Sequence, residues 1–230
     1  ILKGLSGSTL PLVTITDADV LFLNDWQKAT YDVFKHFPKA GVVGPVPNPT
    51  AAFYQTANIF RSNLFSKNIK FTRIKNKNAV LNFAQSIGQR DLILKNHPDK
   101  YLTVSDQTNF KAVIGCGHFI ATYKSQLFDY DFSRNTEFLL GGQSENDLLD
   151  VKPFQIDMWR LATEDNYAYH LGNTVSDWVS EVFNNLSKEE NIFMTPNHLG
   201  VVQLNPFYRI YSKFTNRIVA SYKLRNLLLK

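Results

Sequence analysis

Apolar and polar positions follow two different periods in the first forty residues. β-Branched and apolar residues fill Thr9 to Thr16, a pattern typical of a buried strand. Apolar residues then recur at helical spacing from Trp26 to Phe37, and Pro38 ends the run. Asn24 is a suitable N-cap for this helix, with Asp25 in the first turn, where a carboxylate favours the helix dipole. A helix is therefore predicted directly after the first strand.

A second short strand is predicted over Ala40 to Val43, where an apolar run ends at Gly44. The order strand, helix, strand indicates an α/β fold, in which ligands gather at the carboxyl ends of strands. Asp17 and Asp19 occupy such an end, because they follow the first strand directly.

The middle of the chain is less regular. Helical spacing of apolar residues predicts a helix within Ala51 to Phe65. The basic interval from Lys67 to Lys77 is interpreted as a solvated loop, with a phosphate or glycan contact as the alternative. Another strand is predicted over Ala112 to Thr122, and Gly115 and Gly117 interrupt it where the backbone must lie close to another group.

The stretch from Gly141 to Asn173 predicts two helical segments followed by a strand. Two glycines open it, and Ser144 can cap the first helix. Pro153 is tolerated only near a helix start, so a second helix is predicted to begin there and to end near Thr163. The alternation over Tyr167 to His170 predicts the strand, and His170 ends it.

The segment from Asn205 to Lys230 is predicted to contain an amphipathic helix. Its apolar residues recur every three or four positions: Phe207, Ile210, Tyr211, Phe214, Ile218 and Tyr222. Arg209, Lys213 and Arg217 stack on another face. Two interpretations stay open, namely a terminal helix packed on the domain and a basic helix lying on an anionic membrane.

Composition restricts the protein class. The 230 residues, 44% of them hydrophobic, suffice for one large domain or two small ones. The single cysteine, Cys116, excludes an internal disulfide framework and a cysteine zinc site, which fits a reducing compartment. No signal peptide opens the chain and no apolar run approaches about 18 residues. A cytoplasmic protein is expected, with peripheral contact to a membrane left open.

The net charge of +5 favours an acidic partner, such as a nucleic acid, an anionic membrane or a phosphorylated substrate. Neither an aromatic-rich recognition motif nor zinc-ligand spacing accompanies the lysines from Lys67 to Lys77. Binding to nucleic acid is therefore not expected.

Three groups of residues are candidates for chemistry. Asp17 and Asp19 either cap a turn or offer two hard oxygen ligands to Mg²⁺ or Mn²⁺, and their apolar flanks make unpaired carboxylates costly. His170 is either structural or a metal ligand. Glu145 and Asp147 either stabilise the dipole of the helix they begin or act as a general base.

Four stretches, in this order, resemble the family 2 glycosyltransferases of GT-A fold: TITDADVLF, VIGCGHFIATYKSQLF, SENDLL and YAYHLGN. They span about Leu10 to Asn173. The resemblance implies a Rossmann-related α/β fold, a mixed sheet flanked by helices. It implies a catalytic domain over residues 1–175 that lacks its opening strands. Residues 176–230 would form a helical extension packed on this domain.

The resemblance also implies roles for the candidates. Asp17 and Asp19 would bind Mn²⁺ or Mg²⁺, which bridges the two phosphates of a nucleotide-sugar, and His170 would complete the metal site. The base motif of many relatives reads Glu-Asp-x-Asp, whereas Ser-Glu-Asn-Asp stands here. Glu145 takes the place of the usual base in this register, so Glu145 is favoured and Asp147 stays open. The sugar would be transferred in one displacement with inversion.

The implied partners are a nucleotide-sugar donor and a glycan or lipid-linked acceptor, as in polysaccharide biosynthesis. In the family, the nucleoside-binding strands precede the Asp-x-Asp strand, and only about ten residues do so here. We therefore expect a fragment whose donor site is completed by residues before Ile1. The alternative is a non-catalytic remnant of the same fold that binds a glycan or a nucleotide.

Overall fold

A mixed seven-stranded sheet organises the fold of the chain, as seen in a computed structural model that describes residues 9–88, 90–96, 99–128, 145–172, 177–186, 196, 199–200, 202, 208–219 and 221. The strands are β1 Leu12–Thr16, β2 Val20–Phe22, β3 Ala40–Gly44, β4 Ile69–Arg73, β5 Lys100–Ser105, β6 Lys111–Ile114, β7 Ile120–Lys124, β8 Trp159–Ala162 and β9 Ala168–His170. The order in the main sheet is β1-β7-β3-β8-β6-β5-β4, and β2 pairs with β9 in a separate ribbon. Among the described strands, β3 and β8 form the one parallel pair, and the other pairs are antiparallel.

Helices flank this sheet. They are α1 Trp26–His36, α2 Ala57–Ser62, α3 Lys77–Ser86, α4 Arg90–Asn96, α5 Lys152–Gln155, α6 Asp177–Asn184 and α7 Tyr208–Val219, with a π-helical turn at Asn146–Val151 and 3₁₀ turns at Pro49–Phe53 and Ser125–Phe128. Neighbouring residues of β3 belong to different cores: Val43 belongs to the core that includes Phe34 of α1, and Val42 to the core that includes Val80 of α3. Since successive side chains of a strand point to opposite faces, both faces of the sheet are covered. The predicted α/β class is confirmed.

The predicted strand before the carboxylates is present as β1, and β3 lies where a strand was predicted. The predicted N-cap is wrong, because Asp25 and not Asn24 precedes the first turn of α1. Asp25 adopts a left-handed conformation, with φ of 63°, which lets the chain turn directly from β2 into α1.

The interpretation of Lys67 to Lys77 as a loop is wrong, because β4 occupies its centre. This strand lies at the edge of the sheet and pairs only with β5 among the described strands. Lys70 and Arg73 are exposed on it. Charged side chains are typical of edge strands, where they discourage pairing with other chains, and here they hid the strand signal.

The predicted second helix is too long. It ends at Gln155, and β8 occupies the centre of the sheet where a helix was predicted to continue to Thr163. Asp157 adopts a left-handed φ of 58°, and the Met158 amide donates to the carbonyl of Pro153 at 2.9 Å, which reverses the chain. Gly141 to Ser144 and Asn173 lie outside the described residues, whereas the strand predicted to end at His170 is present as β9.

Two further segments are divided by the structure. The helix predicted within Ala51 to Phe65 is a 3₁₀ turn followed by α2. The single strand predicted over Ala112 to Thr122 is instead two strands, β6 and β7, which are not neighbours in the sheet. The glycine-bearing segment between them, Gly115 to Phe119, is called the glycine loop below.

The C-terminal helix is present as α7, although the residues on either side of it, including Phe207 and Tyr222, lie outside the described part. Among the positions of α7 whose burial is described, Tyr208, Ser212 and Val219 are buried, whereas Phe214 and Ile218 of the predicted apolar set are exposed. The Tyr208 hydroxyl donates to the carbonyl of Phe154 at 2.6 Å, which ties α7 to α5. No helix in the described part of the chain is long and apolar enough to cross a membrane.

Candidate functional site

The two sequence-predicted carboxylates lie in a short turn between β1 and β2. The amide of Asp17 donates to the carbonyl of Phe119 at 2.7 Å, and the Leu171 amide donates to the carbonyl of Asp19 at 2.8 Å. In the antiparallel ribbon, His170 of β9 lies opposite Val20 of β2. The short strand β2 therefore brings the end of β9 beside the carboxylate turn, which joins residues about 150 positions apart in the sequence.

Asp17, Asp19 and His170 form a cluster that could hold a metal ion. One ligand atom from each lies within 4.8 Å of the others, and Nε2 of His170 is 3.5 Å from Oδ2 of Asp19. Nδ1 of His170 lies 3.0 Å from the hydroxyl oxygen of Ser86 on α3. A hydrogen bond donated by Nδ1 leaves the Nε2 lone pair facing the carboxylates, as in metal-binding histidines.

This donor set fits a divalent cation of the expected kind. Two carboxylates suit Mg²⁺ or Mn²⁺, and three protein donors leave room for phosphate or water oxygens in a six-coordinate shell. The ring of Phe119 packs edge-on against the His170 ring, with centroids 5.2 Å apart, and limits its rotation. The structure therefore brings together all three predicted metal ligands.

The predicted base residues are half-buried: Asp147 lies in the π-helical turn, and Glu145 directly precedes it. Asn146 stands between them, and its side-chain oxygen accepts a hydrogen bond from the hydroxyl of Tyr54. The side-chain nitrogen Nδ2 of Asn146 lies 3.5 Å from Oδ1 of Asp147. Ser144, the predicted cap of this segment, lies outside the described residues. Both carboxylates thus remain candidates for the base.

Sequence reasoning missed Asp150, which lies within this turn, and the two residues bound to it, Arg160 and His118. Asp150 is buried and accepts from Arg160 at 2.6 Å through Oδ1, while its Oδ2 lies 2.8 Å from Nδ1 of His118. Arg160 also donates to the carbonyls of Cys116, at 2.5 Å, and Tyr54, at 3.2 Å. A detectable signal existed, since Arg160 is a lone charge within the apolar run of β8 and a buried charge requires partners.

The environment of His118 favours its charged form. The hydrogen bond to Asp150 raises the pKa of His118 above its ordinary value, although burial opposes the shift. The charge of Glu145 adds to the increase, whereas that of Arg160 acts against it. Burial raises the pKa of the neighbouring Cys116 thiol to about 11, which makes this cysteine a poor nucleophile.

The glycine loop connects the metal-ligand cluster with the acidic turn, which is the name used below for Glu145 and the π-helical turn that follows it. Phe119, at one end, contacts Asp17 and His170, and His118 beside it binds Asp150. Gly115 begins the loop with φ of +85°, and a Cβ there would overlap the carbonyl oxygen of Ala51. The predicted close approach of backbone at Gly115 is therefore confirmed, and only glycine fits this position without strain.

Two cavities, of about 540 and 550 Å³, lie apart from these residues. The first is lined by charged residues of both signs, including Lys28, Asp32 and Glu164. The second lies at the start of β8 around Trp159 and His36. β8 and β1 run in the same direction. The second cavity lies at the amino end of β8, whereas Asp17 follows the carboxyl end of β1, so the two lie at opposite ends of the strands.

No protein-family model, curated protein or solved structure matches the chain. The functional assignment therefore depends on the residues of this chain and on their arrangement.

Proposed function

We propose that the chain is a metal-dependent glycosyltransferase of GT-A fold, of the family 2 type. It moves a sugar from a nucleotide-sugar donor to a glycan or lipid-linked acceptor with inversion. One observation carries the proposal: the glycine loop contacts both the cluster of two carboxylates and an imidazole, through Phe119, and the acidic turn, through His118. Such a transfer requires both a site for a divalent cation and a nearby proton acceptor.

In this mechanism Asp17, Asp19 and His170 hold the cation. When bound, it supplies positive charge that stabilises the departing nucleoside diphosphate. Glu145 accepts the proton of the acceptor hydroxyl, and Asp147 is the alternative base. The bond from the acceptor oxygen to the anomeric carbon forms as the bond from that carbon to the phosphate oxygen breaks. The electron pair of the broken bond remains on the diphosphate.

The test is incubation of the chain with Mn²⁺, a panel of nucleotide-sugars and a panel of glycan acceptors. We expect formation of an inverted glycoside together with release of nucleoside diphosphate. Asp19→Ala should abolish both, and Asp91→Ala, at an exposed aspartate of α4, should change neither. Equal activity of Asp19→Ala and the unchanged chain would contradict the proposal.

The edge position of β1 favours a second candidate. No described strand pairs with its other side, so the described residues contain none of the nucleoside-binding strands that the resemblance implies. The second candidate is a non-catalytic module of the same fold that binds a nucleotide or a glycan. Metal-dependent binding of a nucleotide without transfer to any acceptor would favour this candidate over the enzyme.

Peripheral contact with a membrane is part of the proposal, and α7 supports it. Phe214 and Ile218 lie one turn apart and are 68% and 46% exposed, and the neighbouring Lys213 and Arg217 are exposed as well. Apolar and basic side chains side by side on a helix surface suit the headgroup region of an anionic bilayer. Such a location would place the enzyme beside a lipid-linked acceptor.

A further inference from the structure

His118 presents one edge of its ring to the surface of the candidate site. Its Nδ1 is engaged by Asp150, and its side chain is 41% exposed, whereas the side chains of Asp150 and Arg160 are only 7% and 2% exposed. A histidine held through Nδ1 directs Nε2 away from its partner, because the two nitrogens lie on different edges of the ring. Nε2 is therefore the atom available to a ligand.

Protonation of His118 offers a negatively charged ligand a positive charge and an N–H donor. Asp150 is paired with Arg160 at 2.6 Å, so the buried pair carries no net charge. A protonated imidazole added to this pair makes the group of three cationic. The raised pKa of His118 is consistent with this state. Glu145, directly before the π-helical turn, also acts on His118, and its negative charge offsets part of this positive charge.

The location of His118 specifies where such an anion would lie. Its neighbour Phe119 accepts the hydrogen bond from the Asp17 amide and packs on His170. His118 therefore directly precedes the residue that contacts both Asp17 and His170 of the metal-ligand cluster.

We propose that Nε2 of His118 donates a hydrogen bond to the phosphate group that leaves in the reaction, with Asp150 and Arg160 as the residues that position it. The inference rests on the proposed function for the identity of the leaving group. His118 and the metal-ligand cluster then bind the diphosphate from two sides, and Glu145 acts on the acceptor. No proton transfer from His118 is required, because the hydrogen bond alone stabilises the developing charge.

The test measures binding of inorganic pyrophosphate to the chain by calorimetry, with and without Mn²⁺. His118→Gln removes the charge but leaves an amide that can donate to Asp150. His36→Gln is the matched control, because Nδ1 of His36 is bound by Asp106 at 2.7 Å in the same manner. We expect His118→Gln to weaken pyrophosphate binding about 10-fold or more and to leave Mn²⁺ binding unchanged. His36→Gln should change neither.

A second readout separates ligand contact from a structural role. On addition of pyrophosphate at constant pH, the ¹⁵N signal of Nε2 in His118 should shift, and that of His36 should not. If His118→Gln binds pyrophosphate with an affinity within about twofold of that of the unchanged chain, the inference is overturned. It is also overturned if the unchanged chain does not bind pyrophosphate. Pyrophosphate binding that depends on His118 in a chain without sugar transfer supports the inference and counts against the proposed function.

Discussion

The backbone amide of Asp17 donates a 2.7 Å hydrogen bond to the carbonyl of Phe119. This bond joins the turn that carries both predicted metal-ligating carboxylates to the glycine loop that carries His118. A shift of the loop would therefore move the carboxylate turn and the residues around the acidic turn together. The candidate site therefore depends on the conformation of the loop as well as on its charged side chains.

Gly115→Ala should destabilise the chain by about 3 kcal/mol, since it adds strain at a left-handed φ to an overlap with the carbonyl of Ala51. Urea unfolding measures the change. Gly88→Ala is the matched control: Gly88 also has a positive φ, of 67°, but no atom lies within 4 Å of the position that an added methyl group would take. This control should cost only about 1 kcal/mol. Equal losses in the two variants would show that the contact with Ala51 does not matter.

Ser86→Ala should weaken Mn²⁺ binding about 10-fold, because it removes the hydrogen-bond partner that orients His170. Manganese paramagnetic resonance measures the affinity, and the ion should bind weakly until a nucleoside diphosphate supplies further oxygen ligands. Asp19→Ala should abolish binding without unfolding the chain. If Mn²⁺ bound equally to the unchanged chain and to Asp19→Ala, the cluster would not be the metal site.

Glu145→Gln should lower the rate of sugar transfer by about 10²-fold or more, because the amide keeps size and hydrogen bonding but accepts no proton. Donor binding, measured by calorimetry, should survive. Asp147→Asn is the matched variant in the same acidic turn. A loss of this size in Asp147→Asn alone would identify Asp147 as the base.

The stability of the chain should depend on pH through His118. Because the hydrogen bond to Asp150 raises the pKa of His118 above 6.5, the folded state holds this proton more tightly than the unfolded state. The resulting stabilisation is complete below about pH 6.5 and is lost as pH rises through the raised pKa. Partial exposure of the ring keeps it below about 1 kcal/mol.

Urea unfolding of the unchanged chain and of His118→Gln at several pH values measures this contribution. The difference in the free energy of unfolding should decrease toward high pH. A difference that is constant across the range would contradict the assigned effect of Asp150 on His118.

Replacing both Phe214 and Ile218 with serine should abolish flotation of the chain with anionic liposomes. Binding of the unchanged chain should fall as salt increases and should be absent with neutral liposomes, because Lys213 and Arg217 supply the attraction. Phe183→Ser, at a 63% exposed residue of α6, is the control and should still float. If the unchanged chain binds neither anionic nor neutral liposomes, α7 is not a membrane-binding helix and only packs on the domain.

The sequence by itself determined those strands and helices whose pattern lies within a few neighbouring residues. Runs of apolar and β-branched residues predicted β1 and β3, of which β3 is buried throughout and β1 is partly buried. The position of Asp17 and Asp19 directly after β1 was also readable, as was the spacing that predicted α7. These features depend on residues within a few positions of one another.

The resemblance had grouped His170 with Asp17 and Asp19, but only the tertiary structure shows how distant residues come together. The pairing of β2 with β9 brings His170 to the carboxylates, and a three-residue strand such as β2 has no sequence signal of its own. Arg160 disrupts the apolar pattern of β8, yet β8 is central because Asp150 and two carbonyl groups compensate that charge. Compensation by groups far away in sequence is a property of the folded chain, and for this reason periodicity missed both β8 and the charged cluster around His118.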